Sequence, residues 1–183
     1  GMILFASDAA LNPGLTQDTA NQYISFDNIY IKRGSFTGVN SSCMKVVGQL
    51  DNALFTNCIF DLVTPQVTTP TVVDTTNSLV IMQVGTNRGV GNTDNPSGHF
   101  INCTFVANRY YTAITATSFS FLSFEYCKFE NVARVAFLDS ASTMWINGGF
   151  ILNGGFNDLS MFYCGSAVRL YVDSSITGGS TKV

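Results

Sequence analysis

The stretch Phe55-Thr56-Asn57-Cys58-Ile59-Phe60 recurs almost unchanged as Phe100-Ile101-Asn102-Cys103-Thr104-Phe105. A third copy keeps the same frame as Phe124-Glu125-Tyr126-Cys127-Lys128-Phe129. Three looser copies run over 26–31, over 145–150 and from 170 onward. The copies end at residues 31, 60, 105, 129, 150 and 176, so the steps between them are 29, 45, 24, 21 and 26. A repeat of this length with strand-type sequence predicts a stacked β-solenoid.

The motif also predicts a bend at its third residue. Successive side chains of a strand point to opposite faces, so strict alternation would separate the first Phe of the motif from its Cys. A bend at the Asn lets both Phe residues and the Cys face one core, and Asn tolerates the left-handed conformation that such a bend needs. In this frame Trp145 occupies a core position. Stacked bends predict a ladder of side-chain amides, formed by Asn28, Asn57, Asn102 and Asn147.

Composition narrows the classes of function. The chain has 183 residues, which suits one domain with one core. Charged residues make up only 11% and the net charge is -3, so no basic stripe is available for nucleic acid. No apolar run is long enough to cross a membrane, and we expect no membrane insertion. We expect uncharged polar residues to make up most of the polar surface. Such a composition is typical of extracellular or virion structural proteins.

Cysteine usage argues against a disulfide framework. There are five cysteines, an odd number without short paired spacing, and they are Cys43, Cys58, Cys103, Cys127 and Cys164. Three of them hold the same motif position, which favours buried thiols that behave as small hydrophobic side chains. We therefore expect no metal site and no cofactor. Reduced structural thiols also fit assembly in a cytoplasm.

The motif resembles that of the right-handed parallel β-helix (pectate-lyase-like) superfamily. The resemblance covers roughly residues 22–178 and implies a single-stranded solenoid of about six to seven coils with an asparagine ladder. Within this superfamily, the charge-poor composition, rich in Ser, Thr, Asn and Gly, most resembles that of bacteriophage tailspikes and tail fibres. It implies a homotrimer in the virion, assembled in the host cytoplasm, that recognises a host surface polysaccharide. A polysaccharide depolymerase (glycosidase or lyase) and a bacterial surface adhesin, extracellular or on the cell surface, remain alternatives.

The chain divides into three parts on this reading, with an insertion inside the second. Residues 1–21 lack the repeat and are expected to cap the first coil or lead into it. Residues 22–178 form the parallel β-helix. An insertion near 64–98 accounts for the long step of 45, and we favour a loop there over an extra coil, with a strand at 79–84. Residues 179–183 form a polar tail.

Candidate site residues are few. Asp61 and Glu130 follow the final Phe of two copies and would lie two coils apart, so they are the candidate acid pair of a glycosidase. The acidic clusters of polygalacturonases and pectate lyases are not found, so no catalytic residue of those enzymes carries over. Whether the chain is an enzyme therefore stays open. Candidates for ligand binding are Arg88, Asp94, Tyr110 and Tyr111.

Overall fold

The computed structural model describes the following parts of the chain: residues 3–6, 21–22, 24–32, 43–47, 50–51, 53–61, 74–83, 97–107, 111–117, 121–139, 142–152, 162–173 and 177–178. These residues form strands, bends and turns, and none of them is helical. No helix that could cross a membrane occurs within these ranges.

Three six-stranded parallel sheets make up the fold. In the first sheet the order is β1 (Ile3–Ala6), β5 (Met44–Val47), β9 (Asp74–Gln83), β12 (Tyr111–Thr117), β15 (Arg134–Leu138) and β18 (Phe162–Cys164). In the second it is β3 (Ser25–Asp27), β7 (Ala53–Thr56), β10 (Ser97–Ile101), β13 (Phe121–Glu125), β16 (Thr143–Asn147) and β19 (Arg169–Val172). In the third it is β4 (Tyr30–Lys32), β8 (Ile59–Asp61), β11 (Thr104–Val106), β14 (Lys128–Glu130), β17 (Phe150–Leu152) and β20 (Thr177–Gly178). Two short strands, β2 (Asn21–Gln22) and β6 (Leu50–Asp51), pair separately.

The chain visits the second, third and first sheets in rotation, and each new strand pairs in parallel with its counterpart one turn earlier. Three successive turns are described most completely: β7–β8–β9, β10–β11–β12 and β13–β14–β15. This arrangement is an all-β parallel solenoid, as the repeat predicts.

The bend at the third motif position is confirmed. Asn28, Asn57 and Asn102 have φ values of 59°, 53° and 52°, in the left-handed region. Tyr126 holds the same position in its copy with φ 53°. Because the chain turns there, residues on both sides of the bend face the core, as do the fully buried Phe55, Cys58 and Phe60 in one copy.

Two columns of phenylalanine rings fill the core. In one column Phe100 stacks on Phe55 and on Phe124, with centroids 4.9 Å apart in both cases. In the other column Phe105 stacks on Phe60 and on Phe129 at 5.0 Å. Rings of the two columns meet edge to face at 5.6–5.9 Å. Both geometries are favourable for aromatic pairs.

The motif cysteines form a third column in the core. Cys58, Cys103 and Cys127 are buried and free. The thiol of Cys103 lies 3.4 Å from the carbonyl oxygen of Phe55, and that of Cys127 lies 3.3 Å from the carbonyl oxygen of Phe100. Each thiol thus contacts the backbone of the preceding turn, in keeping with the predicted role as a small buried side chain.

The copy at 145–150 lies one position away from the frame that the sequence motif indicated. Strand pairing aligns Ile146 with Phe124 and places Trp145 beside Ser123, so the prediction of Trp145 as a core residue is wrong. Asn147 pairs with Glu125, one residue before the bend, and Gly148 takes the bend with φ 63°. The ring of Tyr126 explains the glycine, since a Cβ on Gly148 would lie 2.8 Å from it.

Only part of the predicted insertion near 64–98 is described. Its strand β9 lies in the first sheet between β5 and β12 and pairs in parallel with both, with a register shift against β12 between Tyr111 and Thr112. The predicted strand at 79–84 corresponds to the second half of β9. The remainder of the predicted insertion before Ser97 lies outside the described residues. This segment therefore supplies the third strand of its turn.

Candidate functional site

An exposed aromatic pair lies on the outer face of the second sheet. Trp145 on β16 pairs in register with Tyr171 on β19, and their rings stack with centroids 4.2 Å apart and planes 20° apart. The side chains are 46% and 44% exposed. Trp145 lies on the outside because its neighbours Met144 and Ile146 are buried and side chains alternate along a strand, and Tyr171 is on the same face because it pairs with Trp145.

A row of polar side chains runs beside the aromatic pair, two residues further along the strands. Glu125 and Asn147 are in register, and the backbone amide of Asp173 donates to the carbonyl oxygen of Ile146, which places Asp173 next in the row. The two rows bound an open groove of about 580 Å³. Its lining consists of Glu125, Trp145, Ile146, Asn147, Leu170, Tyr171, Val172 and Asp173.

This groove combines two kinds of contact. Aromatic rings present flat apolar surface, and the neighbouring carboxylates and amide present hydrogen-bonding groups. The strands that carry them are held in parallel ladders on a packed core, so the spacing of the groups is fixed by the sheet. Concave sites with apolar walls and a few polar groups are typical of ligand-binding sites.

The predicted acid pair is held in other contacts. Asp61 is only 9% exposed, and its carboxylate accepts a hydrogen bond from the hydroxyl of Tyr30. Glu130 forms an ion pair with Lys128, with Nζ and Oε2 2.6 Å apart. Both acids pair with Val106, which confirms the predicted separation by two strands. Their side chains serve contacts within the third sheet.

The hydrogen bond at Asp61 also affects Tyr30. The pKa of the Tyr30 hydroxyl is raised above its ordinary value, first because it donates to the Asp61 carboxylate and then because of burial. The neutral phenol is therefore the form that this contact favours. Asp61 acts here as an acceptor that holds neighbouring strands together.

The predicted ligand-binding residues fall into two groups. Tyr111 is fully buried in the core and cannot stack on a ligand at the surface. Arg88, Asp94 and Tyr110 lie outside the described residues.

The groove residues were missed because the motif frame placed Trp145 in the core. A signal was present in the alternation of Met144, Trp145 and Ile146, in which the aliphatic residues suit the buried face and Trp145 the outer face. Strand register places Glu125 and Asp173 in one row across the sheet. The steps between copies vary in length, so the sequence alone does not show this register.

The corner beside the groove carries a short chain of side-chain hydrogen bonds. Asn102 Nδ2 donates to Asn57 Oδ1 at 2.8 Å, and Asn57 Nδ2 donates to Asp27 Oδ1 at 3.0 Å. Thr56 Oγ1 donates to the same Asp27 oxygen at 2.7 Å. The hydrogen bonds from Thr56 and then Asn57 hold the pKa of Asp27 below its ordinary value of 3.8. Asp27 thus acts as the charged acceptor at the end of this row of hydrogen bonds.

A second aromatic stack lies on the first sheet. Phe137 and Tyr163 stack at 4.5 Å, and the Arg134 guanidinium lies 5.8 Å and 5.6 Å from their ring centroids. Arg134 is 6% exposed, and burial lowers its pKa from the ordinary value. The cation and the rings pack against each other, so this stack is explained by contacts within the protein.

No cluster of three or more potential metal ligands occurs within the part of the chain that the structure describes. Neither a protein-family model, nor a characterised protein, nor a solved structure matches this chain.

Proposed function

We propose that this chain is a structural domain that recognises a surface polysaccharide through the groove on its second sheet. The observation that carries the proposal is the exposed stack of Trp145 and Tyr171 beside the row of Glu125, Asn147 and Asp173. A sugar ring has a C–H face that packs on an aromatic ring and hydroxyl groups that donate to carboxylates and amides. Both types of partner stand side by side in this groove.

The solenoid supports this proposal as a scaffold. Stacked repeats create long surfaces on which a linear polymer can bind over several turns. The three six-stranded sheets are consistent with six coils, within the expected six to seven, and the bond from Asn102 to Asn57 is consistent with part of an asparagine ladder. On this basis we infer a member of the parallel β-helix superfamily. Its charge-poor composition favours a bacteriophage tailspike or tail fibre, located in the virion and assembled in the host cytoplasm.

A homotrimer forms part of the proposal. Large apolar side chains are exposed on the third sheet and at the adjoining corner: Tyr30, Ile59, Tyr126 and Phe150. Burial of such a surface between identical subunits would stabilise the assembly. Light scattering should give a mass of about three chains, and a monomer at all concentrations would contradict this part. A bacterial surface adhesin would be the remaining structural alternative.

Calorimetric titration with bacterial surface polysaccharides tests the binding proposal. Trp145→Ala should weaken binding at least tenfold, because it removes half of the aromatic pair. Tyr163→Ala is the matched control, since Tyr163 is 44% exposed and belongs to the aromatic stack on the first sheet. Equal loss in both variants would contradict a role for the groove. Binding unaffected by Trp145→Ala would contradict it as well.

A depolymerase is the second candidate. Glu125 and Asp173 lie in the row beside the aromatic pair with one strand between theirs, so their backbones are about 9–10 Å apart. Inverting glycosidases hold their carboxyl groups about 6.5–9.5 Å apart. Release of reducing ends by the wild type and its loss in Glu125→Gln or Asp173→Asn would favour this candidate. Loss in Asp61→Asn or Glu130→Gln would instead favour the pair predicted from the sequence. No release by the wild type would leave recognition alone.

A further inference from the structure

The charge of the groove indicates which polysaccharides it accepts. Two of its lining residues, Glu125 and Asp173, carry carboxylates, and Asn147 between them is neutral. Among the described residues that line the groove there is no Lys, Arg or His. We propose that the groove selects an uncharged, hydroxyl-rich polysaccharide over one that carries uronic acids or other anionic groups. This inference rests on the proposed function and specifies its ligand.

The carboxylates of Glu125 and Asp173 can act on a bound sugar both as hydrogen-bond acceptors and as negative charges. An ionised carboxylate only accepts hydrogen bonds, and its two oxygens can accept from two neighbouring sugar hydroxyls. Such charge-assisted bonds are about twice as strong as neutral ones. A sugar carboxylate in the same place would be repelled by the like charges of this row, and the Asn147 amide would be its donor there. The same two side chains therefore favour neutral sugars and disfavour acidic ones.

The size of the effect follows from the spacing of the rows. The polar row lies two residues along the strands from the aromatic pair, about 7 Å between backbones. A sugar stacked on Tyr171 therefore places its substituents within about 5 Å of the Glu125–Asp173 row. At that distance a like charge near a protein surface weakens binding by about tenfold or more at low salt. The penalty decreases as salt screens the charges.

The side chain of Arg169 places a positive charge on the same face of the second sheet. Arg169 lies two residues before Tyr171 on β19, on the side of the aromatic pair away from the carboxylates. It is exposed and does not line the groove. An acidic polysaccharide bound to this face would contact Arg169, whereas a neutral one in the groove would not depend on it. Arg169→Gln therefore separates the two cases.

The test uses a panel of capsule and O-antigen polysaccharides in which each uronic-acid member is paired with its carboxyl-reduced, neutral form. Both forms have the same backbone, so only the charge differs. We expect neutral members to bind at least tenfold more tightly than acidic partners at low salt, with a smaller difference at high salt. Glu125→Gln combined with Asp173→Asn should reduce that difference, and Arg169→Gln should leave it unchanged.

Four results would overturn the inference or its basis. Tighter binding of acidic members, or their loss of binding in Arg169→Gln, would contradict the preference for neutral sugars. If that binding still required Trp145, the proposed function would stand and only this inference would fail. Absence of binding across the panel, or binding that ignores Trp145→Ala, would overturn the proposed function together with it.

Discussion

The side-chain amide of Asn102 donates to the side-chain oxygen of Asn57 at 2.8 Å, from one turn of the solenoid to the turn before it. Both residues occupy the same left-handed bend, with φ 52° and 53°. The bond therefore joins equivalent corners of neighbouring turns. The two properties of Asn that the repeat uses, its tolerance of positive φ and its amide, can be separated by mutation.

Asn102→Ala should lower the free energy of unfolding by about 1–3 kcal/mol, from the lost hydrogen bond and the strain of a left-handed Ala. Asn102→Gly loses the same bond but adopts positive φ without strain, so it should be the less destabilised of the two. Chemical denaturation of both variants measures the difference. A loss below about 0.3 kcal/mol for Asn102→Ala would contradict the role of this bend.

Asp27 should make the stability of the domain depend on acid pH. Hydrogen bonds from Thr56 and Asn57 lower its pKa in the folded state below the ordinary value of 3.8. Ionised Asp27 therefore stabilises the fold above that value, and this contribution is lost as pH falls through the folded-state pKa. In Asp27→Asn the midpoint of thermal unfolding should fall less steeply with acid pH. Identical slopes for both proteins would contradict the interaction.

The thiols should divide into four protected groups and one reactive group. Cys43, Cys58, Cys103 and Cys127 are buried, and Cys164 is exposed. Burial also raises the pKa of Cys58, which lowers its thiolate fraction. Mass spectrometry after brief native labelling should therefore find one modified residue, Cys164, and five after unfolding. Rapid native labelling at Cys58 or Cys103 would show that the motif cysteines do not face the core.

Phe100 should be among the most costly residues to truncate. Its ring stacks on Phe55 and Phe124 and meets Phe60 and Phe105 edge to face. Phe100→Ala should cost about 3–5 kcal/mol, the range for a fully buried Phe. Phe121→Ala on the outer face, where the side chain is 39% exposed, is the matched control and should cost about 1 kcal/mol or less. Similar losses in denaturation for the two would contradict the core assignment.

The fold could be predicted because the information lies within one short repeat. The Phe and Cys positions of the 55–60 and 100–105 copies specify the core face, and their Asn specifies the bend, so two good copies indicate the parallel stack. Strand pairing aligns these copies with each other and with 124–129. Identical positions in stacked turns acquire identical neighbours, which is why local sequence is sufficient here.

The groove could not be predicted in the same way because it depends on register between imperfect copies. In the copy near 145, Gly148 and Gly149 replace the residues of the bend and the next core position, and the frame shifts by one. That shift moves Trp145 from the core to the surface. Asp173 reaches the row of Glu125 only through the pairing of β16 with β19, which the degenerate copy at 170 does not reveal.

The fluorescence of Trp145 gives the most direct test of the groove as a glycan-binding site. Trp145 is the single tryptophan of the chain, so its emission reports on the groove alone. Titration with a polysaccharide that binds in calorimetry should change this emission in a saturable way, with the same midpoint as the heat signal. Tyr171→Ala should shift both midpoints to weaker binding, and Tyr163→Ala on the first sheet should shift neither. Calorimetric binding at saturation without any change in Trp145 emission would contradict the account.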